Sequence, residues 1–318
     1  MRNTQKHTIN AQRHSGSLSL YHLGAFFTVT VWGTSFISTA VLLQNKLGPV
    51  EIYIYRFALA YILLLLIDHR KFLANSLRDE FIFMLCGLTS GSIYYIAENS
   101  ALEFTQAADV ALITSLAPLL TALFIGFIYR SEKPSWGTWI GSIVAFIGVG
   151  CIIIKEDGSQ TSGINGVIGD MLALGAAVSW AIYSILLRRI SAVYSTTFIT
   201  RKTLFYGVVT ALPFLGLEES FASFETLLKP QVWGNLLFLG IGASLLAFFL
   251  WSVAVKRLGA ITASNYLYFS PVVTLIFACL ILGESISATG FVGCALVIGG
   301  LVLGDYLSKY MRRSRIRY

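Results

Sequence analysis

Asn99-Ser-Ala-Leu-Glu-Phe-Thr-Gln-Ala-Ala-Asp-Val-Ala-Leu-Ile-Thr-Ser-Leu-Ala-Pro118 aligns without a gap on Ser252-Val-Ala-Val-Lys-Arg-Leu-Gly-Ala-Ile-Thr-Ala-Ser-Asn-Tyr-Leu-Tyr-Phe-Ser-Pro271. Ala101 falls on Ala254, Ala107 on Ala260 and Pro118 on Pro271, then Thr121 on Thr274 and Phe124 on Phe277. After a one-residue slip, Glu132 falls on Glu284, Gly141 on Gly293 and Gly148 on Gly300. Towards the N-terminus the match is sparser, pairing Trp32 with Trp180 and Arg56 with Arg201. The chain therefore reads as two copies of one unit.

Composition names the solvent of those units. Of 318 residues, 56% are hydrophobic and only 12% charged, with a mean hydropathy of +0.72. A soluble domain carries about 25% charged residues, so this chain cannot cover a water-facing surface and lipid must surround it. An internal repeat in so apolar a chain marks a secondary transporter. The net charge of +7 does not point to nucleic acid, because the basic residues sit in short segments between apolar runs. The tail Lys309-Tyr-Met-Arg-Arg-Ser-Arg-Ile-Arg-Tyr318 is expected to meet anionic lipid. Cys86, Cys151, Cys279 and Cys294 fall in apolar runs without C-x-x-C spacing and read as small buried hydrophobes. Residues 1–19 are polar, and the apolar run that follows is longer than the core of a cleavable signal, so no cleavage is expected.

A helix needs roughly 20 apolar residues to cross a bilayer. Ten such runs are predicted, at 20–42, 50–68, 80–103, 107–129, 135–155, 166–187, 197–217, 232–255, 260–282 and 287–308. With the N-terminus inside, the inner segments hold 17 Lys and Arg and the outer ones only Lys46, Lys155 and Lys229. That bias predicts both termini in the cytoplasm. Five helices per copy is an odd number, so the copies are expected to lie inverted, an arrangement that supports alternating access. The predicted fold is an all-α polytopic membrane protein of ten transmembrane helices in two inverted five-helix repeats. Residues 20–155 and 166–308 form the repeats, residues 1–19 a polar tail and residues 309–318 a basic one. The segment 218–231, with Glu218, Glu219, Glu225 and Lys229, reads as a surface loop.

Functional candidates follow from what is costly in lipid. Pro118 and Pro271 each remove a backbone hydrogen bond at mid-membrane and are predicted to kink helices that line a central cavity. Trp32 and Trp180 lie at a depth where an indole N–H needs a partner, and read either as packing residues or as cavity wall. Glu98 is the most expensive residue in any run and is a functional hypothesis by default. Arg56 lies at similar depth and is the expected ion-pair partner; proton coupling and binding of a substrate ammonium are the alternatives. In the second copy Arg201 recurs, but Glu98 is replaced by Trp251. The outer side should therefore carry an ion pair and the inner side at most a cation–π contact. Tyr94, Tyr95, Asn99, Ser115, Asn265 and Tyr268 could hydrogen-bond a substrate or tie helices together. Gly141, Gly148 and Gly150, with Gly290, Gly293, Gly299, Gly300 and Gly304, read as close-packing or dimer faces. Asp170 reads as an acid at a helix N-terminus.

With these residues in view, the chain resembles the EamA-like family of the drug/metabolite transporter superfamily. The resemblance runs over about residues 18–308. It is carried by Trp32-Gly-Thr-Ser, Tyr55-Arg56-Phe-Ala-Leu-Ala, the stretch from Ala101 to Pro118, Gly169-Asp-Met-Leu-Ala-Leu-Gly-Ala-Ala-Val-Ser-Trp180-Ala-Ile-Tyr-Ser, and Ala260 through Pro271 to Gly283-Glu284. It implies a ten-helix inverted-repeat fold, a central cavity and export of small metabolites, often amino acids or amphipathic compounds. A multidrug exporter and a gradient-independent facilitator are the alternatives. An enzyme is not expected: the glycine spacing before Asp170 is wrong for an intramembrane aspartyl protease, and His7, His14, His22 and His69 lie in tails, ends and loops. No cofactor or metal is expected, and without a P-loop any pumping must use a gradient, with protons the candidate ion, or exchange. The expected partners are the bilayer and a small-molecule substrate, with a homodimer left open. A bacterial inner membrane is the expected location.

Overall fold

The computed structural model describes residues 2–69, 71–128, 135–153, 164–218, 221–258, 263, 265–283 and 288–315. Glu132, Glu284, Arg70, Arg130, Lys133 and Lys155 lie outside these residues, as does the side chain of Asn265. The described secondary structure is entirely helical.

The helices are α1 (Arg2–Gln44), α2 (Pro49–Ile67), α3 (Leu77–Phe104) and α4 (Ala107–Ile128), then α5 (Trp136–Ile153), α6 (Ile164–Ser191) and α7 (Thr196–Ala211). They continue with α8 (Pro230–Leu258), α9 (a tight turn Asn265–Phe269, then Ser270–Phe277 and Ala278–Leu282) and α10 (Ala288–Arg315), while a tight 3-10 stretch, Leu212–Leu217, and a short helix, Phe224–Leu228, lie between α7 and α8. Among the described residues seven stretches, fewer than the ten expected, are long and apolar enough to cross a membrane: Ser19–Gln44, Pro49–Ile67, Leu77–Phe104, Ala107–Ile128, Ile164–Ser191, Pro230–Leu258 and Ala288–Ser308. Trp139–Gly148 and Tyr266–Leu282 are shorter apolar helices. Helix continues into both polar ends: α1 begins at Arg2 and α10 runs to Arg315, with no proline to interrupt either one.

Local signals set the helix ends. Gly48 and Pro49 open α2, and the Glu51 carboxylate accepts from the Gly48 N–H at 3.3 Å, the reciprocal half of a capping box. The Ser76 hydroxyl accepts from the Asp79 N–H at 3.1 Å to start α3, and Asp79 and Glu80 suit the positive end of its dipole. Gly283, at φ 67°, closes α9 where a side chain would be strained. Asp170 corrects a sequence reading: α6 begins six residues earlier, and Asp170 is fully buried rather than in the first turn.

Packing repeats as the sequence does. α1 packs on α8 and α9, and α6 packs correspondingly on α3 and α4. α2 packs on α8, and α7 on α3. α5 and α10 pack on each other, close enough that a Cβ on Gly141 would stand 2.5 Å from the Gly300 carbonyl oxygen and one on Gly148 2.7 Å from that of Gly293. The small residues of these helices thus form a packing face within the chain.

The helices that matter most are irregular at matching places. α3 relaxes to a π-helix over Leu88–Ile93 and α8 over Phe238–Leu246. In the register that sets Asn99 on Ser252, 88–93 falls on 241–246. α4 breaks at Ser115–Leu116 and restarts at Ala117, and α9 passes from tight turn to α-helix at Ser270; Ala117 falls on Ser270 in the same register. The expected kinks are therefore restarts. Pro118 and Pro271 are each the second residue of a new helical piece, where a missing N–H is tolerated.

Candidate functional site

A cleft of about 490 Å³, part of it open to solvent, lies where these irregular helices meet. α1 contributes Trp32, Ser35 and Phe36, and α3 contributes Tyr94, Tyr95 and Glu98. Ala111, Thr114, Ser115 and Ala117 come from the break in α4, Trp180 from α6, and Leu267 and Ser270 from the turn in α9. Pro118 offers no N–H to the carbonyl four residues back, that of Thr114, and Pro271 none to that of Leu267. Both of those residues are in the wall.

Aromatic residues are five of the thirteen described residues of that wall. Trp32 and Trp180 meet edge to face at 5.5 Å, Trp180 lies 5.1 Å from Tyr94, and Tyr94 lies 4.8 Å from Tyr95. Phe248 of α8 backs Trp32 at 5.6 Å and Tyr95 at 6.4 Å. The Trp32 N–H donates to the Ala243 carbonyl at 3.0 Å, so Trp32 both packs and faces the cleft. Glu98 is 3% exposed; the Tyr94 hydroxyl hydrogen-bonds to it, and its Oε2 has no partner.

Arg56 does not bridge to Glu98. Its Nε donates to Ser244 Oγ at 2.8 Å, and its guanidinium lies 4.5 Å from the centre of the Tyr95 ring. Tyr95, one turn before Glu98, takes the place expected for the carboxylate. Arg201, expected over Trp251, instead pairs with Asp68 Oδ1 at 3.6 Å and faces Phe72 and Phe198. Trp251 packs on Trp32 at 5.2 Å. The expected assignment is thus reversed, with the cation–π contact on the Arg56 side and the ion pair on the Arg201 side.

The Arg201 pair belongs to a larger polar cluster. Lys202 pairs with Glu80, the Tyr206 hydroxyl donates to the same carboxylate, and the Tyr194 hydroxyl donates to Asp79 Oδ2 at 2.8 Å. At the other end of α2, Glu218 Oε1 accepts the Val50 N–H at 2.6 Å, so part of the predicted surface loop caps a distant helix. Asn99 lies outside the cleft, where its Nδ2 donates to the Pro49 carbonyl at 2.9 Å. Tyr268 is half-buried on α9 and is not in the wall. Sequence reasoning missed Ser35, Thr114, Leu267 and Ser270; the last three flank the prolines, and that proximity was the available signal.

Relatives place this architecture. The EamA-like transporter family profile matches residues 19–154 and again 167–304. The chain is 25% identical to the uncharacterized transporter YetK of Bacillus subtilis (strain 168), over 91% of this chain and 89% of that one. It is 27% identical to a probable terminal-alkyne amino-acid exporter of Streptantibioticus cattleyicolor, over 74% of this chain and 77% of that one. A protein of known crystal structure superposes with a TM-score of 0.64 over 92% of this chain and 99% of that one, at 20% identity, a likeness of fold. Two matches of one family profile, one on each repeat and together covering most of the sequence, establish that the chain is a multi-pass membrane protein and belongs to the EamA-like transporter family.

Proposed function

We propose that this protein is a secondary-active transporter that exports amino acids or related small metabolites by alternating access through the Glu98 cleft. The observation that carries the reading is the position of that cleft. It lies where both copies interrupt their helices, at Ser115–Leu116 and before Ser270, so movement of one repeat against the other would open it to either side. The relative named as an amino-acid exporter supports the substrate class. In this reading the chain crosses the membrane ten times with its repeats inverted and both termini in the cytoplasm, in line with the 17-to-3 distribution of Lys and Arg.

The cluster of Asp68, Glu80, Arg201 and Lys202 would hold the cytoplasmic end shut, and Arg56 against Tyr95 would seal the outer end more weakly. Protons are the coupling ion in this reading, with Glu98 in their path. α5 and α10 pack Gly141, Gly148 and Gly300 on each other.

The test is efflux from proteoliposomes loaded with a pool of labelled amino acids and related metabolites, with and without a pH gradient. Saturable, gradient-dependent efflux is expected, and it should be lost in Glu98→Gln. Efflux indifferent to the gradient would make the protein a facilitator, and none from any pool would refute export of this class.

A further inference from the structure

The chemistry of the cleft wall is one-sided. Among the described residues it holds one carboxylate, Glu98, and no lysine, arginine or histidine. That carboxylate is buried and presents an oxygen without a hydrogen-bond partner. A buried polar oxygen left unmatched is destabilising, and a donor from a bound molecule would relieve that cost.

Several donors in the wall are already engaged. The Trp32 N–H goes to the Ala243 carbonyl at 3.0 Å, the Ser35 hydroxyl to Trp32 at 2.7 Å, the Thr114 hydroxyl to Val110 at 2.8 Å and the Ser115 hydroxyl to Leu112 at 2.6 Å. Each hydroxyl oxygen keeps lone pairs to accept with. The carbonyls of Thr114 and Leu267, which the prolines cannot serve, add acceptors. Aromatic faces supply the rest, and they attract cations. Arg56 donates from Nε to Ser244 and lies over the Tyr95 ring; its Nη1 and Nη2 have no hydrogen-bond partner, but the residue is not in the wall. Among the described residues a carboxylate entering the cleft would meet no cationic side chain, only neutral donors such as the N–H of Trp180, the hydroxyls of Tyr95 and Ser270 and the backbone N–H groups that begin the second piece of α4.

We infer that the cleft recognises its substrate by a positively charged ammonium group, which docks on Glu98 among the rings of Tyr94, Trp32 and Trp180, and that a substrate carboxylate contributes little. This rests on the transport reading for its physiological meaning and narrows the substrate class to amines, including amino acids whose carboxyl group is unrecognised or blocked.

The test is binding to the purified protein in nanodiscs, read by tryptophan fluorescence, with phenethylamine, N-acetylphenethylamine and 3-phenylpropanoate. Phenethylamine is expected to bind at least tenfold more tightly than either of the others. Glu98→Gln should weaken the amine at least tenfold and Glu98→Asp much less, with 3-phenylpropanoate unaffected. Equal binding of amine and acid, preference for the acid, binding by none of the three, or unchanged amine affinity in Glu98→Gln would each overturn the inference. The wild-type series decides even if the variants fail to fold. Vesicle flux separates the two readings: flux without amine selectivity leaves transport standing and removes this inference, whereas amine-selective binding without flux does the reverse.

Discussion

Gly299 and Gly300 are neighbours on α10 with opposite surroundings. A Cβ on Gly299 meets nothing within 4 Å, whereas one on Gly300 would stand 2.7 Å from the Ala145 amide nitrogen and 2.8 Å from the Gly141 carbonyl oxygen. Ordinary contact begins near 3.5 Å, so Gly300→Ala drives α10 off α5 by roughly 0.7 Å, and the obstructing atoms are backbone that cannot rotate aside. Both substitutions gain about 1 kcal/mol of helix propensity. Only Gly300→Ala incurs the overpacking cost of about 1–3 kcal/mol. The two variants should therefore differ by about 1–3 kcal/mol. At about 2–4 °C per kcal/mol, Gly299→Ala should melt roughly 2–12 °C above Gly300→Ala. The assay is a thermal melt of each purified variant in one detergent, followed by circular dichroism. Equal melting temperatures, or a Gly299→Ala protein below Gly300→Ala, would refute the close approach of α5 and α10.

Other expectations follow from single contacts. Trp32→Phe keeps a ring in the wall but leaves the Ala243 carbonyl without its 3.0 Å donor; a loss of about 0.5–1.5 kcal/mol is expected, and an unchanged melt would show that the bond contributes nothing. A double-mutant cycle of Asp68→Asn and Arg201→Gln should give a coupling of about 0.5–3 kcal/mol, and additive effects would remove the pair from the structure's stabilising contacts. In a cysteine-free background, exposed Lys46 and Lys71, each changed to cysteine, should label from opposite sides of the membrane, Lys46→Cys from outside; labelling from one side would contradict the proposed topology.

Much of the architecture was legible because lipid imposes simple demands. Apolar length marked the helices, and the gap-free match from Asn99 to Pro118 marked the duplication. Prolines at mid-run pointed to the breaks in α4 and α9, and the cleft beside those breaks is bordered by Trp32, Tyr94, Tyr95, Glu98, Ser115 and Trp180; what that cleft binds is a proposal. Ionic partners were not legible. Depth along a helix says nothing about rotation around it, so Arg56, expected at the depth of Glu98, lies instead over the ring of Tyr95. Arg201 found Asp68 because α2, which ends just before Asp68, packs against α7, a tertiary contact without a local signal. Glu218 reached α2 across a long stretch of chain for the same reason.

The π-helical stretches in α3 and α8 act as phase shifters. An α-helix turns by about 100° per residue, so a single residue accommodated in a wider turn rotates everything beyond it by about that angle relative to an unbroken helix. The face presented by Leu77–Gly87 and the face presented by Tyr94–Phe104 are thus set independently along one rod. Glu98 is aimed by the bulge before it, as Trp251 is by the bulge in α8. Gaining or losing that one residue would turn an entirely different row of side chains towards the centre, a route by which one scaffold can present new linings without changing how its helices pack below the bulge.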